Sequence, residues 1–358
     1  MRLVPVIVLV LGWAGAAMAQ DTKTIAAAEA EGSLVIYSQP NLLAQQYVQR
    51  EWTKLYPKIG VTMNVMPSSQ FVVRFRTERQ SGKFLWDLGF AGGEGGYILS
   101  KEGAIDPFLP ELVDPGVNDP AIWGGWDEAF VDVAKKYVFA MSRYIRGPWY
   151  NAAFVSPEKV ASQGLKVMLD PAYKGKTVWN DPLVPGTGQT QALVMRRELG
   201  DAGLKQLVID QKMVFVQQQQ QVVEAMARGT AWIGLGAPVK GLIQPYLQAG
   251  VKADIRSFGN KPNVNIESQG GSTLFLFEHR PHPNATRLFV NWILSEKVQA
   301  DLGKLLDQDS RRRDVPPMAD ADETAIPGAH YYAFQREEYL SELKEAVEYI
   351  RQLRQQAQ

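Results

Sequence analysis

Short apolar runs, each closed by a polar or glycine-rich loop and joined to the next by a helical stripe, set the first constraint on this fold. Ser33-Leu34-Val35-Ile36-Tyr37-Ser38 is followed by Gln39-Pro40-Asn41, then by Leu43, Tyr47, Val48, Trp52 and Leu55 at helical spacing. Val61-Thr62-Met63-Asn64-Val65 leads into Pro67-Ser68-Ser69 and a predicted helix over 71–80. Asp87-Leu88-Gly89-Phe90-Ala91 runs into Gly92-Gly93-Glu94-Gly95-Gly96. Continuous apolar strands alternating with helices predict an open α/β sheet covered on both faces. Ligands of such sheets bind outside the carboxyl ends of the strands, so loops 39–41, 67–69 and 91–96 are candidates. The glycine cluster lacks the spacing of a dinucleotide fingerprint and reads as close backbone approach at a helix start.

The second half repeats the rhythm. Lys176-Thr177-Val178-Trp179 is strand-like, and Asn180-Asp181-Pro182 and Pro185-Gly186 are turn chemistry. Thr187 is the predicted N-cap of a helix through Leu199, with Ala192, Leu193, Arg196 and Leu199 at helical spacing. A helix N-terminus has unpaired N–H groups and can hold an anion, and Gly186 and Gly188 would admit a ligand to the backbone. The same residues also read as a simple βα turn. Met213–Val216 is a further strand; Gln217–Gln221 opens a helix carrying Val222, Val223 and Met226; Trp232–Gly236 is another strand. Lys136–Ile145 is strand-like and breaks at Arg146-Gly147-Pro148, where a first crossing between lobes is expected; Arg143 and Arg146 near it can pair an anion. The return crossing falls between Gly234 and Gln269. Helices are predicted from Pro283, from Ser295 as cap to Leu306, and along Leu340, Leu343, Val347, Ile350 and Leu353.

At 358 residues the chain is too long for one typical domain. Its 38 basic and 38 acidic side chains balance, which gives no support for nucleic-acid binding. Arg2, the apolar run Val4–Ala17 and Ala17-Met18-Ala19 form a secretory signal peptide over residues 1–19. With no cysteine there is no disulfide, thiol nucleophile or cysteine lipid anchor. No later segment is apolar enough to span a bilayer, so the expected product is periplasmic and free of the membrane after cleavage.

Taken in order, these pieces resemble a known family. Glu31-Gly32-Ser33-Leu34-Val35-Ile36-Tyr37-Ser38 is similar to the first strand of ABC-transporter extracellular solute-binding proteins, the branch that includes ferric-iron- and thiamine-binding proteins. Asp170-Pro171-Ala172-Tyr173-Lys174-Gly175-Lys176, Asn180-Asp181-Pro182 and Gly186-Thr187-Gly188 resemble that branch's second-lobe motif, and Pro281-His282-Pro283-Asn284-Ala285 and Arg313-Asp314-Val315-Pro316 complete it. The resemblance implies a two-lobed type II periplasmic-binding-protein fold. Each lobe would be an open mixed sheet flanked by helices, with two crossing strands between them. Lobe 1 would take residues 20–145 and about 268–315, and lobe 2 about 146–267 and 316–358. It further implies closure around a small solute and delivery to an ABC permease served by a separate ATPase subunit, this chain being a monomer without cofactor. The chain has no Gly-x4-Gly-Lys-Ser/Thr loop of its own.

On that reading the ligand-binding inventory is Ser38, Asn41, Ser68, Ser69, Arg143, Asn180, Thr187, Gly188, Gln189, Gln217 and Gln269, with Gln218 beside them. Neutral donors around a helix N-terminus suit an organic anion such as a carboxylate or phosphonate, or a polyol-like solute. The ferric reading of the same family fits less well. Asn41 stands where the branch has a histidine, Gly236-Ala237-Pro238 stands where it has a tyrosine pair, and Tyr331-Tyr332 lies near the end of the chain. Ferric iron wants hard anionic oxygens, so no metal site is expected. An exported α/β hydrolase is the alternative from another class. It lacks support, because there is no Gly-x-Ser-x-Gly elbow and the only histidines are His279, His282 and His330.

Overall fold

A computed structural model describes residues 22–356 apart from 185, 238, 262–263, 270, 319–323, 327–328 and 330. Residues 1–19, expected to be a signal peptide, and His330 therefore lie outside the described residues. The chain divides into two compact units, one running to Ser142 and resuming over Gly271–Pro316, the other comprising Arg143–Gly270 and the chain from Pro317. Arg143 thus belongs to the second unit, not to the first as the sequence boundary at 145/146 has it.

The first unit starts with α1 over 22–31 and β1, Ser33–Ser38. The rhythm read from the sequence follows: α2 Leu42–Leu55, β2 Gly60–Val65, α3 Ser68–Gln80, β3 Leu88–Ala91 and α4 Gly93–Lys101. Residues 104–129, which include several Pro, Gly and Trp, hold short elements: β4 Ile105–Asp106, a 3-10 turn Leu109–Glu111, α5 Pro120–Trp123 and α6 Trp126–Ala129. β5 is Phe139–Ala140.

The second unit carries β6 Ser142–Arg146, β7 Trp149–Asn151, α7 Pro157–Gln163, β8 Thr177–Asn180 and α8 Thr187–Lys205, which kinks at Gly200. The kink is where the sequence ends its helix. β9 Val214–Val216, α9 Gln219–Ala227, β10 Ile233–Leu235, α10 Val239–Gln248, β11 Ile255–Ser257 and β12 Ile266–Ser268 follow. The chain then supplies the first unit with β13 Thr273–Phe277, α11 Pro283–Ile293, α12 Glu296–Leu306 and β14 Asp309–Ser310. α13, Leu340–Gln356, returns to the second unit.

Both main sheets are mixed. In the first unit the order is β2-β1-β3-β13-β4, with β5 also on β13. β1 is parallel to β2 and β3, while β13 runs antiparallel to β3. In the second unit the order is β11-β7-β10-β8-β9, with β8 parallel to β9 and β10 and β7 antiparallel to β10. β6 pairs with β12 from Tyr144 to Arg146 and with β14 on its other side. Parallel neighbours need crossover helices, and α2, α3, α8 and α9 supply them.

Each unit has its own core. Trp52 is fully buried in the first, with its ring centroid 5.2 Å from Phe289 and 5.4 Å from Trp292. The apolar stripe of α13, Leu343, Val347, Ile350 and Leu353, packs into the core of the second. The glycine cluster of 92–96 finds its reason in packing: a Cβ on Gly96 would stand 2.7 Å from Val138 and 3.2 Å from the Phe275 ring. The backbone approach expected there is made by neighbouring side chains. Ser295 occupies the N-cap position of α12, but its hydroxyl donates to the Trp292 carbonyl instead of capping. Among the described residues no helix is long and apolar enough to cross a membrane.

Candidate functional site

In the first unit the parallel register places Ser38 beside Val65 and beside Phe90, so the loops after β1, β2 and β3 emerge side by side. One side chain ties them. Gln39 Nε2 donates to Ser68 Oγ at 2.9 Å, and Gln39 Oε1 accepts the Gly92 N–H at 2.9 Å. Ser68 Oγ also lies 3.0 Å from the buried Tyr37 hydroxyl, whose ring stacks on Phe71 at 3.7 Å. Burial pushes the Tyr37 phenol up and the charge of Glu94 pushes it further, against the bond from Ser68. Ser38 is buried and Ser69 exposed. Asn41 acts within its own helix start, where its Oδ1 accepts the Ala44 N–H at 3.2 Å and caps α2. α3 and α4 begin at Pro67 and Gly92 without a side-chain cap, so their first N–H groups face the same loop cluster.

In the second unit the corresponding cluster forms where β8 hands over to α8. Thr187 is the first helical residue and does not cap. Gly186 takes the N-cap position with φ +146°, and no side chain caps the helix. Trp179 Nε1 donates to the Gly188 carbonyl at 3.0 Å, which fixes the turn to the strand it left. The loop after β9 closes on the same point. Asn180 Nδ2 donates to the Val216 carbonyl at 3.3 Å and the Asp181 N–H to the same oxygen at 2.8 Å. Gln219 Nε2 donates to Thr187 Oγ1 at 3.4 Å. Gln218 and Gln221 form a reciprocal capping box, so the run of glutamines is helix-start chemistry. Gln189 is half-buried in the first turn of α8.

Asp181 is the hub of this cluster. Its carboxylate accepts the Leu183 N–H at 2.9 Å, Gln217 Nε2 at 2.9 Å and Arg354 Nη1 at 2.8 Å. Burial alone would raise the Asp181 carboxyl, but these three bonds outweigh it and hold it below the usual carboxylate range. Arg354 comes from α13 and also covers the Phe215 ring at 4.5 Å.

The structure thus gathers Ser38 and Ser68 around Gln39, and Asn180, Thr187, Gly188 and Gln217 around Asp181. Arg143 and Gln269 lie elsewhere in the second unit, at the end of the β6–β12 ladder that pairs Tyr144 with Ser268. The Gln269 N–H donates to Gln335 Oε1 at 3.1 Å. Sequence reasoning named the loop 39–41 but not Gln39 itself, read Asp181 only as turn chemistry, and passed over Gln219 and Arg354 as site residues. Gln39 was visible as the first polar residue after a buried strand. Arg354 carried no local signal, because its partner is 173 positions away.

The remaining metal candidates are occupied structurally. The Tyr331 hydroxyl bonds Asn260, and the Tyr332 hydroxyl donates to Glu198 at 2.8 Å. His282 Nδ1 lies 2.8 Å from the buried Asp87, and the His279 ring packs on Phe84 at 4.7 Å. Among the described residues no group of three or more His, Cys, Asp or Glu could hold a metal ion.

A family model described as bacterial extracellular solute-binding protein matches residues 38–300. Solved structures share the fold. FutA (IdiA) of Trichodesmium, in complex with iron and citrate, is 15% identical with a TM-score of 0.65 over 90% of this chain and 99% of its own. The ferric binding protein from Campylobacter jejuni is 15% identical, TM-score 0.65, over 89% and 99%. AfuA from Actinobacillus pleuropneumoniae, with fructose-6-phosphate bound, is 15% identical, TM-score 0.57, over 89% and 99%. No curated protein matches the chain.

Proposed function

The chain belongs to the bacterial extracellular solute-binding protein family, as the solute-binding component of an ABC importer, and on that premise we propose that its solute is an organic anion bound at the start of α8. The observation that carries this is the N-terminus of α8, open at Gly186 without a side-chain cap and bordered by Asn180, Thr187, Gln217 and Gln219. Unpaired N–H groups and the positive end of the helix dipole favour a carboxylate or phosphate there, and neutral side chains add hydrogen bonds without repelling it. Binding energetics, with no covalent step, is the whole mechanism: the solute stabilises the conformation that contacts it best, and the permease reads that conformation.

Residues 1–19 serve as the export signal, and the mature chain acts in the periplasm as a monomer beside a separate ATPase subunit. Ferric-iron binding is the weaker reading, because the tyrosines at 331 and 332 are engaged within the second unit, and among the described residues no three His, Cys, Asp or Glu side chains gather beside them.

A thermal-shift screen of carboxylates, phosphonates, sugars, thiamine and ferric chelates tests the proposal, since a solute that binds only the folded state raises its melting temperature. Thr187→Ala is expected to weaken binding while the unit stays folded, and Arg143→Ala, away from α8, is expected to leave affinity unchanged. Unchanged affinity in Thr187→Ala, or stabilisation by ferric ion alone, rejects the anion site.

A further inference from the structure

The polarity of one amide at this site is fixed, and it constrains the ligand. Gln217 is exposed at the carboxyl end of β9, yet its Nε2 is held 2.9 Å from Asp181 Oδ2. An ionised carboxylate only accepts hydrogen bonds, so Gln217 must turn its NH2 group to Asp181 and cannot flip. Asp181 is kept ionised by the Arg354 guanidinium at 2.8 Å and is only 4% exposed. The carboxamide oxygen of Gln217 is therefore the end not spent on Asp181, and on an exposed side chain it is left as an acceptor. The donors of the cluster come from elsewhere, from the N–H groups at the start of α8 and the Thr187 hydroxyl, whose oxygen is already taken by Gln219.

We propose that Gln217 is a specificity-determining residue that selects an anion bearing a hydroxyl or another hydrogen-bond donor over the same anion without it, with Asp181 and Arg354 as the positioning residues that set its polarity. The inference rests on the anion reading of the α8 N-terminus and deepens it. A bare carboxylate or phosphate oxygen placed against the Gln217 oxygen would meet a second acceptor. A hydroxyl there completes a hydrogen bond, and a site built to receive a donor discriminates against an analogue that lacks one.

Matched pairs of anions test it by calorimetric titration on the mature chain: malate against succinate, and glycerol 3-phosphate against propyl phosphate. Preference for the hydroxylated member by about tenfold in at least one pair is expected. Gln217→Met, on an exposed side chain, should abolish the preference and leave both members at the weaker affinity. Asp181→Asn should narrow it, because an asparagine can donate and so lets Gln217 turn over. Equal affinity within both pairs for the wild type, or full preference retained in Gln217→Met, overturns the assignment and leaves the anion site standing. If none of the four anions binds the wild type, the anion reading fails and this assignment fails with it.

Discussion

A Cβ on Gly188 would stand 2.0 Å from the Asn180 carbonyl oxygen, so the last residue of β8 and the second residue of α8 touch backbone to backbone. Gly236, just past the end of β10, is also packed closely: a Cβ there would lie 2.7 Å from Gly188 Cα. Gly188→Ala is therefore expected to destabilise the second unit by about 3 kcal/mol, as overpacking against atoms that cannot rotate away. Denaturant unfolding followed by circular dichroism checks it. Gly186→Ala is a different case. A side chain there would meet no atom within 4 Å, but φ +146° with ψ −162° is accessible essentially to glycine alone, and the cost is about 2 kcal/mol of backbone strain.

The Asp181 carboxyl makes stability depend on pH in a known direction. Its folded-state pKa lies below its ordinary value of 3.8, so its contribution is fully present above that value and is lost as pH falls through the lower folded value. Unfolding curves between pH 7 and pH 2 should show this loss in the wild type and a flatter acid limb in Asp181→Asn. Arg354→Leu, which leaves a buried carboxylate short of its cationic partner, should cost about 2 kcal/mol at neutral pH. An acid limb identical in wild type and Asp181→Asn would refute the role given to this carboxylate.

Gln39 holds the first unit's loops through two hydrogen bonds, one given and one received. Gln39→Ala should lower stability by about 2 kcal/mol. The Gly92 amide is the sensitive reporter. Hydrogen exchange at that position should accelerate, while the amides of β1 keep their protection.

Ferric tyrosinates absorb visible light, which makes the iron reading simple to check. Titration of the chain with ferric ion at neutral pH is expected to produce no visible charge-transfer band, given the bonds that engage Tyr331 and Tyr332. A band that disappears in Tyr331→Phe or Tyr332→Phe would reverse that expectation.

What the chain reveals locally is the strand–helix rhythm. Buried runs such as Ser33–Ser38 and Leu88–Ala91 are apolar on both faces because helices cover both, and that pattern needs no distant information. Caps were less legible. Thr187 and Ser295 have the right side chains, but Gly186 takes the cap position of α8, and Ser295 turns its hydroxyl to Trp292. Half of the candidate site was readable from turn chemistry at Asn180 and Gly188. The other half, Asp181 with Arg354 and Gln39 with Ser68 and Gly92, depends on contacts between segments that no periodicity connects. Arg143 shows the same limit, since a boundary displaced by three residues moves it from one unit to the other.

The order of strands in the first unit also dictates a schedule. β13 lies between β3 and β4, yet it leaves the ribosome only after Arg143–Gly270 has been made. Until Thr273–Phe277 arrives, Leu88–Ala91 lacks its antiparallel neighbour and Gly89 and Gly96 lack the Phe275 ring that packs on them. A nascent chain of this design cannot complete its first half early: the sheet that begins at Ser33 closes only after the whole of the intervening segment has been synthesised.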